Sequence, residues 1–378
     1  KVGKRVNILF CGSYINPTIT RKIEYCSEAG NNFQHNLIQE LNKEHDIEVL
    51  SYIGYPTTKQ QKELIKKTSC RTHVQFVMCC SLMDRVLNFF LYYYFFCKMI
   101  MRAEIVVLYN YHYIQCFIPV LGKILGKTTS VIVADYTEQT ECQGWLRKLI
   151  SCHTEKMYTQ FTKAVFLSKN YFDRSKCKCK YFFPGAIKYS DYRGFCLKPI
   201  NDRKIRVLYS GVFTAVTGVD LLLDSIAQIG DKNVDFVFSG RGNLLPQLEN
   251  AVLQDNRIIN KGFLTREEYY KLLNSADILI NPRNMNMPQN KNNFPSKILE
   301  YLAAGKYIIS TKFSGCECFG KYSVVYSESE SGDIAKKIRD AISSIEVKRK
   351  EIFKVNHIRA KEYDWENQIQ NLIFFLQR

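Results

Sequence analysis

Residues 205–240 read IRVLYSGVFTAVTGVDLLLDSIAQIGDKNVDFVFSG. An apolar, β-branched run (Ile205–Tyr209) is followed by helical spacing over Leu221–Ile229 and then by a second apolar run, Val234–Ser239. A strand, a helix and a strand in this succession are the unit from which parallel sheets are built, because parallel neighbours need a long crossover. The pattern continues with a helix at Leu244–Leu253, a strand at Ile258–Lys261, a helix at Arg266–Asn274 and a strand at Ile278–Asn281. A helix at Ile298–Ala304 and strands at Tyr307–Thr311 and Val324–Tyr326 complete it. Upstream, strands are expected at Val6–Cys11, Ile47–Tyr52, Val74–Met78, Ile105–Tyr109, Thr129–Ala134 and Ala164–Ser168, with helices such as Phe33–Leu41 and Cys116–Leu125 between them. The fold class that follows is α/β with doubly wound parallel sheets.

A chain of 378 residues is too long for one compact core and fits two domains. The polar, aperiodic stretch Gly194–Lys204 separates the two runs of alternation and reads as their linker. The expected domains are therefore 1–196, 197–357 and a C-terminal helix, 358–378, crossing back to the first domain; Ile352–Arg378 reads as helical. Ligands bind beyond the carboxyl ends of the strands in such sheets, so two such domains are expected to face a cleft.

The net charge of +17 is uneven. Up to Lys198 there are 28 Lys and Arg against 15 Asp and Glu, a net of +13, and the remainder carries 25 against 21, a net of +4. A basic first half suits an anionic partner: nucleic acid, an anionic membrane or a phosphorylated substrate. No helix-turn-helix, zinc-finger or RNP-like pattern accompanies the charge, which argues against nucleic acid. The 14 cysteines are scattered, several within apolar runs (Cys79, Cys80, Cys97), and read as reduced cytosolic thiols. Cys177-Lys-Cys179 and Cys316-Glu-Cys318 lack a second pair at zinc-site spacing, so no metal is expected. Val6–Cys11 is too short for a secretory core and reads as a first strand. Phe89–Cys97, within RVLNFFLYYYFFCKMIMR (85–102), falls short of the ~20 apolar residues of a membrane span. Two readings stay open for it: a buried helix, or an aromatic, cation-flanked face in a membrane interface.

Residues 281–310, NPRNMNMPQNKNNFPSKILEYLAAGKYIIS, carry the chemistry. Pro295 suits a first helical turn, where its missing N–H costs nothing. Ser296, Lys297 and Ile298 then offer backbone N–H groups at the positive end of the helix dipole, a place for a diphosphate, and Lys297 adds a full charge. Glu300, a turn further in, is placed to accept hydrogen bonds from ribose hydroxyls. The same residues also serve simply to cap and charge a helix.

FPSKILEYLAAGKYIIST (294–311) resembles the nucleotide-sugar motif of glycosyltransferase family 4, whose fold is GT-B: two Rossmann-like domains facing a cleft. It is most similar to the branch that assembles bacterial surface polysaccharides, where NPR…FPSK…EY…G recurs. The likeness runs in order through VLYSGVFTAVTGVDLLLDSI (207–226), DFVFSGRGNLLPQLENAV (235–252), IINKGFLTREEYYKLLNSADILINPR (258–283) and EYDWENQIQNL (362–372). In the first half only AGNNFQHNLIQEL (29–41) and VIVADYTEQTE (131–141) are family-like.

The resemblance implies donor contacts at Gly211, Arg241, Gly262, Phe263, Arg283, Asn292, Phe294, Pro295, Ser296, Lys297, Ile298 and Glu300, with Gly30 and Asn31 approaching the donor phosphates from the loop before the first long helix. Two departures stand out. The first acid of the family's Glu-X7-Glu pair is Asn292 here, and positions where an Arg and a Lys are common are Val212 and Thr217. The leaving diphosphate still has to be neutralised, and Arg283, Arg241 and Lys297 are the cations expected to do it. On the acceptor side, Asp135 and Glu138 follow one inner strand and His112 another; Asp135 is the first candidate for a polar group near the acceptor hydroxyl. The implied activity is a retaining transfer of a sugar from a nucleotide diphosphate sugar, UDP being the commonest carrier, to a saccharide acceptor that is lipid-linked. It requires no cofactor or metal, and the site of action is the cytoplasm or the inner face of the membrane. Homologues that bind nucleotide without turnover are the alternative that Asn292, Val212 and Thr217 raise.

Overall fold

The computed structural model describes residues 5–23, 26–54, 57–68, 74–78, 84–134, 144–200, 203–292, 296–320 and 322–378. The chain divides into two units, Lys1–Phe183 with Trp365–Arg378, and Pro184–Asp364.

The first unit runs β1 (Asn7–Gly12), α1 (Glu28–Leu41), β2 (Asp46–Ile53), α2 (Lys59–Thr68), β3 (Val74–Met78), α3 (Asp84–Ile100), β4 (Ile105–Tyr109), α4 (Ile118–Ile124), β5 (Thr128–Val133), α5 (Trp145–Tyr158), β6 (Lys163–Phe166), α6 (Lys169–Arg174) and β7 (Lys180–Phe182). Its strands form a parallel sheet in the order β3-β2-β1-β4-β5-β6-β7, with Ile8 opposite both Ile47 and Ile105. β4 is buried along its whole length, as a parallel strand covered on both faces must be. One face packs Leu9, Leu50, Val106, Leu108 and Val131 against Tyr92, Phe96 and Ile100 of α3 and Ile118 of α4.

The second unit runs β8 (Ile205–Val212), α7 (Val219–Ile226), β9 (Val234–Arg241), α8 (Leu245–Gln254), β10 (Ile258–Asn260), α9 (Arg266–Ser275), β11 (Ile278–Asn281), α10 (Lys297–Ala303), β12 (Tyr307–Thr311), β13 (Val325–Ser327) and α11 (Ser331–Glu362). The sheet order is β10-β9-β8-β11-β12-β13, all parallel. Alternate strand residues divide between two cores. Val207, Phe236, Ile278 and Ile309 pack with α7 and α11, and Leu208, Val237, Leu279 and Ile308 pack with α9 and α10. The sheet is therefore wound on both sides, as the alternation of residues 205–327 predicts. The chain then returns to the first unit as α12 (Trp365–Gln377), where Trp365 meets Phe33 and Phe183.

The unit boundaries differ from the sequence reading of 196/197 and 357/358. Residues after Phe183 already belong to the second unit, because Ile187, Tyr189, Tyr192 and Phe195 pack into its core. At the other end α11 stays helical through Glu362, and Tyr363 still packs in the second unit. β7 was not expected; three half-buried residues, Lys180–Phe182, give too short a pattern to read.

Candidate functional site

In a doubly wound sheet the crevice for a ligand opens where the strand order reverses. In the second unit this is between β8 and β11, which lie side by side with Val207 opposite Ile278. The groups at the carboxyl ends of these two strands are Gly211 and Arg283, and the helix that follows β11 begins with Lys297. The structure brings these three together.

Lys297 reaches back over the sheet. Its Nζ lies 5.4 Å from the centroid of the Tyr209 ring, and a Cβ added at Gly211 would fall 2.1 Å from that Nζ. Glycine at 211 is what leaves room for the ammonium group. Burial lowers the Lys297 pKa from 10.5 to about 8, assisted by the neighbouring Arg283 charge and opposed by Glu300. Among the described residues the ammonium makes no hydrogen bond. Lys306 is a useful contrast. Its pKa is also lowered to about 8 by burial, but its Nζ donates to the carbonyls of Asn274 (2.7 Å) and Cys196 (3.2 Å). Lys306 is a satisfied structural lysine, whereas Lys297 holds three donors ready for an acceptor from outside.

Tyr209 is fixed by donating its hydroxyl to the Val212 carbonyl at 2.7 Å, and burial pushes its pKa up to about 12, so it remains protonated. The loop after β8 folds against the loop after β11: Gly218 has φ +75°, and a Cβ there would lie 1.8 Å from the Pro282 carbonyl oxygen. Only glycine permits that approach. Thr217, at a position where a cation is common, donates its hydroxyl to the Val212 carbonyl at 2.6 Å and closes the loop on itself. Val212 is exposed.

Arg283 is aimed by Asn290. The buried Asn290 donates to the carbonyls of Val216 and Asn284, both at 2.7 Å, and its Oδ1 accepts from Arg283 Nη1 at 2.9 Å. A neutral amide oxygen holds the guanidinium without cancelling its charge. Backbone bonds complete the clamp: the Arg283 carbonyl accepts from Thr311 Oγ1 (2.8 Å) and Ser329 Oγ (3.2 Å). Neither Asn290 nor the two hydroxyl groups stand out in the sequence, since only the fold brings them to Arg283.

Glu300 lies one turn along α10. Its Oε2 accepts from the Tyr269 hydroxyl at 2.7 Å. Burial raises the Glu300 pKa, offset by that hydrogen bond and by Lys297; burial likewise drives Tyr269 well above its usual range, so it donates throughout the neutral range. Tyr269 was not among the residues singled out from the sequence.

The remaining donor-side candidates fall as follows. Arg241 ends β9, is exposed, and its guanidinium lies 4.6 Å from the Phe263 ring centroid, with Phe263 itself half exposed. Gly262 (φ +65°) accepts from Gly240 N–H at 2.9 Å, so these residues cluster at the ends of β9 and β10, one strand over from Gly211. Asn292 is buried and Ser296 exposed; Ile298 packs in the core, leaving only its backbone for any ligand. Phe294 and Pro295 lie outside the described residues. α10 begins at Lys297 with Ser296 as a cap residue whose side chain makes no capping bond.

In the first unit the helix start expected after Gly30 and Asn31 lies earlier. Ser27 caps α1, its Oγ accepting from Gly30 N–H at 3.2 Å, which puts both residues inside the first turn. Asn31 is buried, with Oδ1 accepting from Ile15 N–H and Nδ2 donating to the Ile15 carbonyl, each at 2.9 Å, and to Thr20 Oγ1 at 3.0 Å. Its side chain braces the loop after β1, and neither residue presents the free loop backbone that a phosphate contact needs. His112 follows β4 and caps a short turn, its Nδ1 accepting from Ile114 N–H while Gln115 accepts from the His112 N–H. Asn110 beside it is the one non-glycine residue with positive φ (48°) among the described residues, and its Oδ1 accepts from Ala134 N–H at 2.8 Å. Asp135 and Glu138 lie outside the described residues. Among the described residues no group of three His, Cys, Asp or Glu is placed to hold a metal.

Residues 204–344 match the family model described as glycosyl transferases group 1. Anabaena HepE, in complex with UDP, superposes with a TM-score of 0.74 at 13% identity, covering 98% of this chain and 99% of its own. This chain has the GT-B fold. The N-terminal domain of Candida albicans trehalose-6-phosphate phosphatase gives a TM-score of 0.74 at 12% identity over 100% of this chain and 97% of that one. A glycosyltransferase of Rickettsia africae gives 0.70 at 14% identity over 99% of each. No curated protein matches the sequence. The fold and the matched family agree with the GT-B, family 4 resemblance; the finer branch is taken up below.

Proposed function

We propose that this GT-B protein is a retaining glycosyltransferase that transfers a sugar from a UDP-sugar to a saccharide acceptor. The observation that carries the reading is Lys297: a half-buried lysine whose ammonium has no hydrogen-bond acceptor among the described residues, at the β8/β11 switch point, in the space that glycine at 211 leaves. Lys297 and the Asn290-held Arg283 would meet the charge that develops on the leaving diphosphate, with the donors set in place before reaction. The Glu300 oxygen not engaged by Tyr269 would accept from a ribose hydroxyl. HepE, solved with UDP, UDP and glucose, and UDP-glucose, supports UDP as the carrier. The acceptor is a lipid-linked saccharide and the setting surface-polysaccharide assembly on the cytoplasmic side, as the motif order of residues 281–310 suggests. Lys297 and Arg283 would do at the diphosphate what a metal ion does in other transferases.

Titration with UDP and UDP-sugars, followed by donor hydrolysis without acceptor, tests this. Micromolar UDP binding lost in Lys297→Ala, with slow donor breakdown in the parent, is the expected result; absence of binding to any nucleotide diphosphate would overturn it. The self-closed loop at Thr217 and the buried amide at Asn292 favour one second reading, a nucleotide-binding homologue without turnover. Tight UDP binding with no donor breakdown on any acceptor would select it.

A further inference from the structure

α3 is apolar on the side where a surface helix is ordinarily polar. Tyr92, Phe96 and Ile100 fill the core, while Leu87, Phe90, Tyr94 and Met101, on the opposite side, are 62–68% exposed. Phe117, half exposed, packs its ring on Phe89 and Tyr93 and donates its N–H to the Tyr93 hydroxyl at 2.9 Å, so the stripe continues onto α4. There Val120 and Ile124 are 51% and 73% exposed. α5 joins the same side through His153, bonded to the Tyr111 hydroxyl at 3.1 Å, and shows Trp145 at 74% and Leu149 at 56%. An exposed apolar face running over three helices marks a surface that is covered in use.

Its charge says by what. From Val86 to Lys127 the sequence holds Lys98, Arg102, Lys123 and Lys127 and a single acid, Glu104. Lys98 and Lys123 stand exposed within the apolar stripes themselves, and Lys148 beside Leu149. Protein interfaces are depleted in lysine, whereas lysine stems lie readily along apolar surface with the ammonium at lipid headgroups. No described helix is long and apolar enough to cross a bilayer, which leaves insertion to interface depth.

We propose that the α3–α4–α5 face of the first unit docks on an anionic membrane, with Phe90, Tyr94, Phe117 and Trp145 at the acyl boundary and Lys98, Lys123 and Lys148 at the phosphates. The docking residues belong to the first unit and the donor residues to the second, and the proposal stands or falls without the donor site.

The full chain carries two tryptophans, Trp145 exposed and Trp365 3% exposed, so a change in emission on adding vesicles reports on Trp145. Mixing with vesicles of phosphatidylcholine and phosphatidylglycerol should blue-shift the emission and carry the protein into the floated fraction, with salt weakening the binding. Phe90→Ser with Tyr94→Ser should weaken binding at least about tenfold. Lys98→Glu with Lys123→Glu should remove the preference for anionic over pure phosphatidylcholine vesicles. Both variants should keep the parent's circular dichroism and UDP response. Failure of the parent to bind either vesicle, or variants that bind as it does, would overturn the proposal. So would a dimer in vesicle-free buffer that Phe90→Ser with Tyr94→Ser converts to monomer, which would assign the face to a second copy.

Discussion

Replacing Lys297 by methionine separates a functional lysine from a structural one, because the two predict opposite signs. Burial takes its pKa from 10.5 to about 8, and each unit corresponds to about 1.36 kcal/mol between the charged and neutral forms. The buried charge therefore costs the ligand-free protein about 3 kcal/mol at most, or about 1–3 kcal/mol once the water still reaching the side chain is allowed for. Methionine keeps the aliphatic length over Tyr209 and removes that cost, so the variant should melt higher; at about 2–4 °C per kcal/mol for a unit of this size, the rise is about 2–12 °C. A lysine whose folded-state pKa lies below its unfolded value carries its full penalty below about pH 8 and loses it as pH climbs toward 10.5. The advantage of Lys297→Met should accordingly be largest near pH 7 and shrink by pH 10. Binding should move the other way: losing a charge-assisted contact to a diphosphate weakens UDP about 10–100-fold. Differential scanning fluorimetry at the two pH values and calorimetric titration with UDP measure both. A lowered melting temperature at pH 7 together with unchanged UDP affinity would refute the assignment of Lys297 to a ligand site.

Gly211→Ala places a methyl 2.1 Å from Lys297 Nζ and 3.1 Å from the Tyr209 hydroxyl, on a backbone of φ +158° that L side chains rarely adopt; it should cost about 1–3 kcal/mol of stability, and UDP affinity should fall at least about tenfold, read by the same titration. Arg283→Ala should lower donor turnover by about 10²–10³ with a smaller effect on UDP binding, because its charge acts on the developing diphosphate; wild-type turnover would remove it from the site. Tyr269→Phe deletes the hydrogen bond that holds the raised Glu300 pKa down. A carboxylate that must be ionised to accept from ribose then fails at higher pH, so the acid limb of the UDP-affinity profile should shift upward. Leu279→Ala in the fully buried β11 should cost about 2–5 kcal/mol by chemical denaturation, with no specific effect on the nucleotide.

The period of the apolar pattern was enough to place nearly every strand of the two sheets, because parallel strands buried on both faces must be short, continuous and β-branched. Boundaries were less legible. α1 starts at Glu28 because a serine hydroxyl at 27 takes the Gly30 N–H, a local bond the apolar pattern does not register. The unit border lies at Phe183 rather than Cys196 because side chains of residues 187–195 find their core downstream. Of the site, the sequence by itself determined the chemical types: a lysine and an acid one turn apart at a helix start, an arginine after a strand, and glycines at strand ends. What only the tertiary structure decided is which of them act together. Gly211 and Lys297 are neighbours because β8 and β11 pair across the switch point, Asn290 folds back to hold Arg283, and Tyr269 comes from another helix to hold Glu300. The pattern of α3 likewise gave its apolarity but not its exposure, since whether a face is covered depends on what packs beside it, and that is a property of the folded chain.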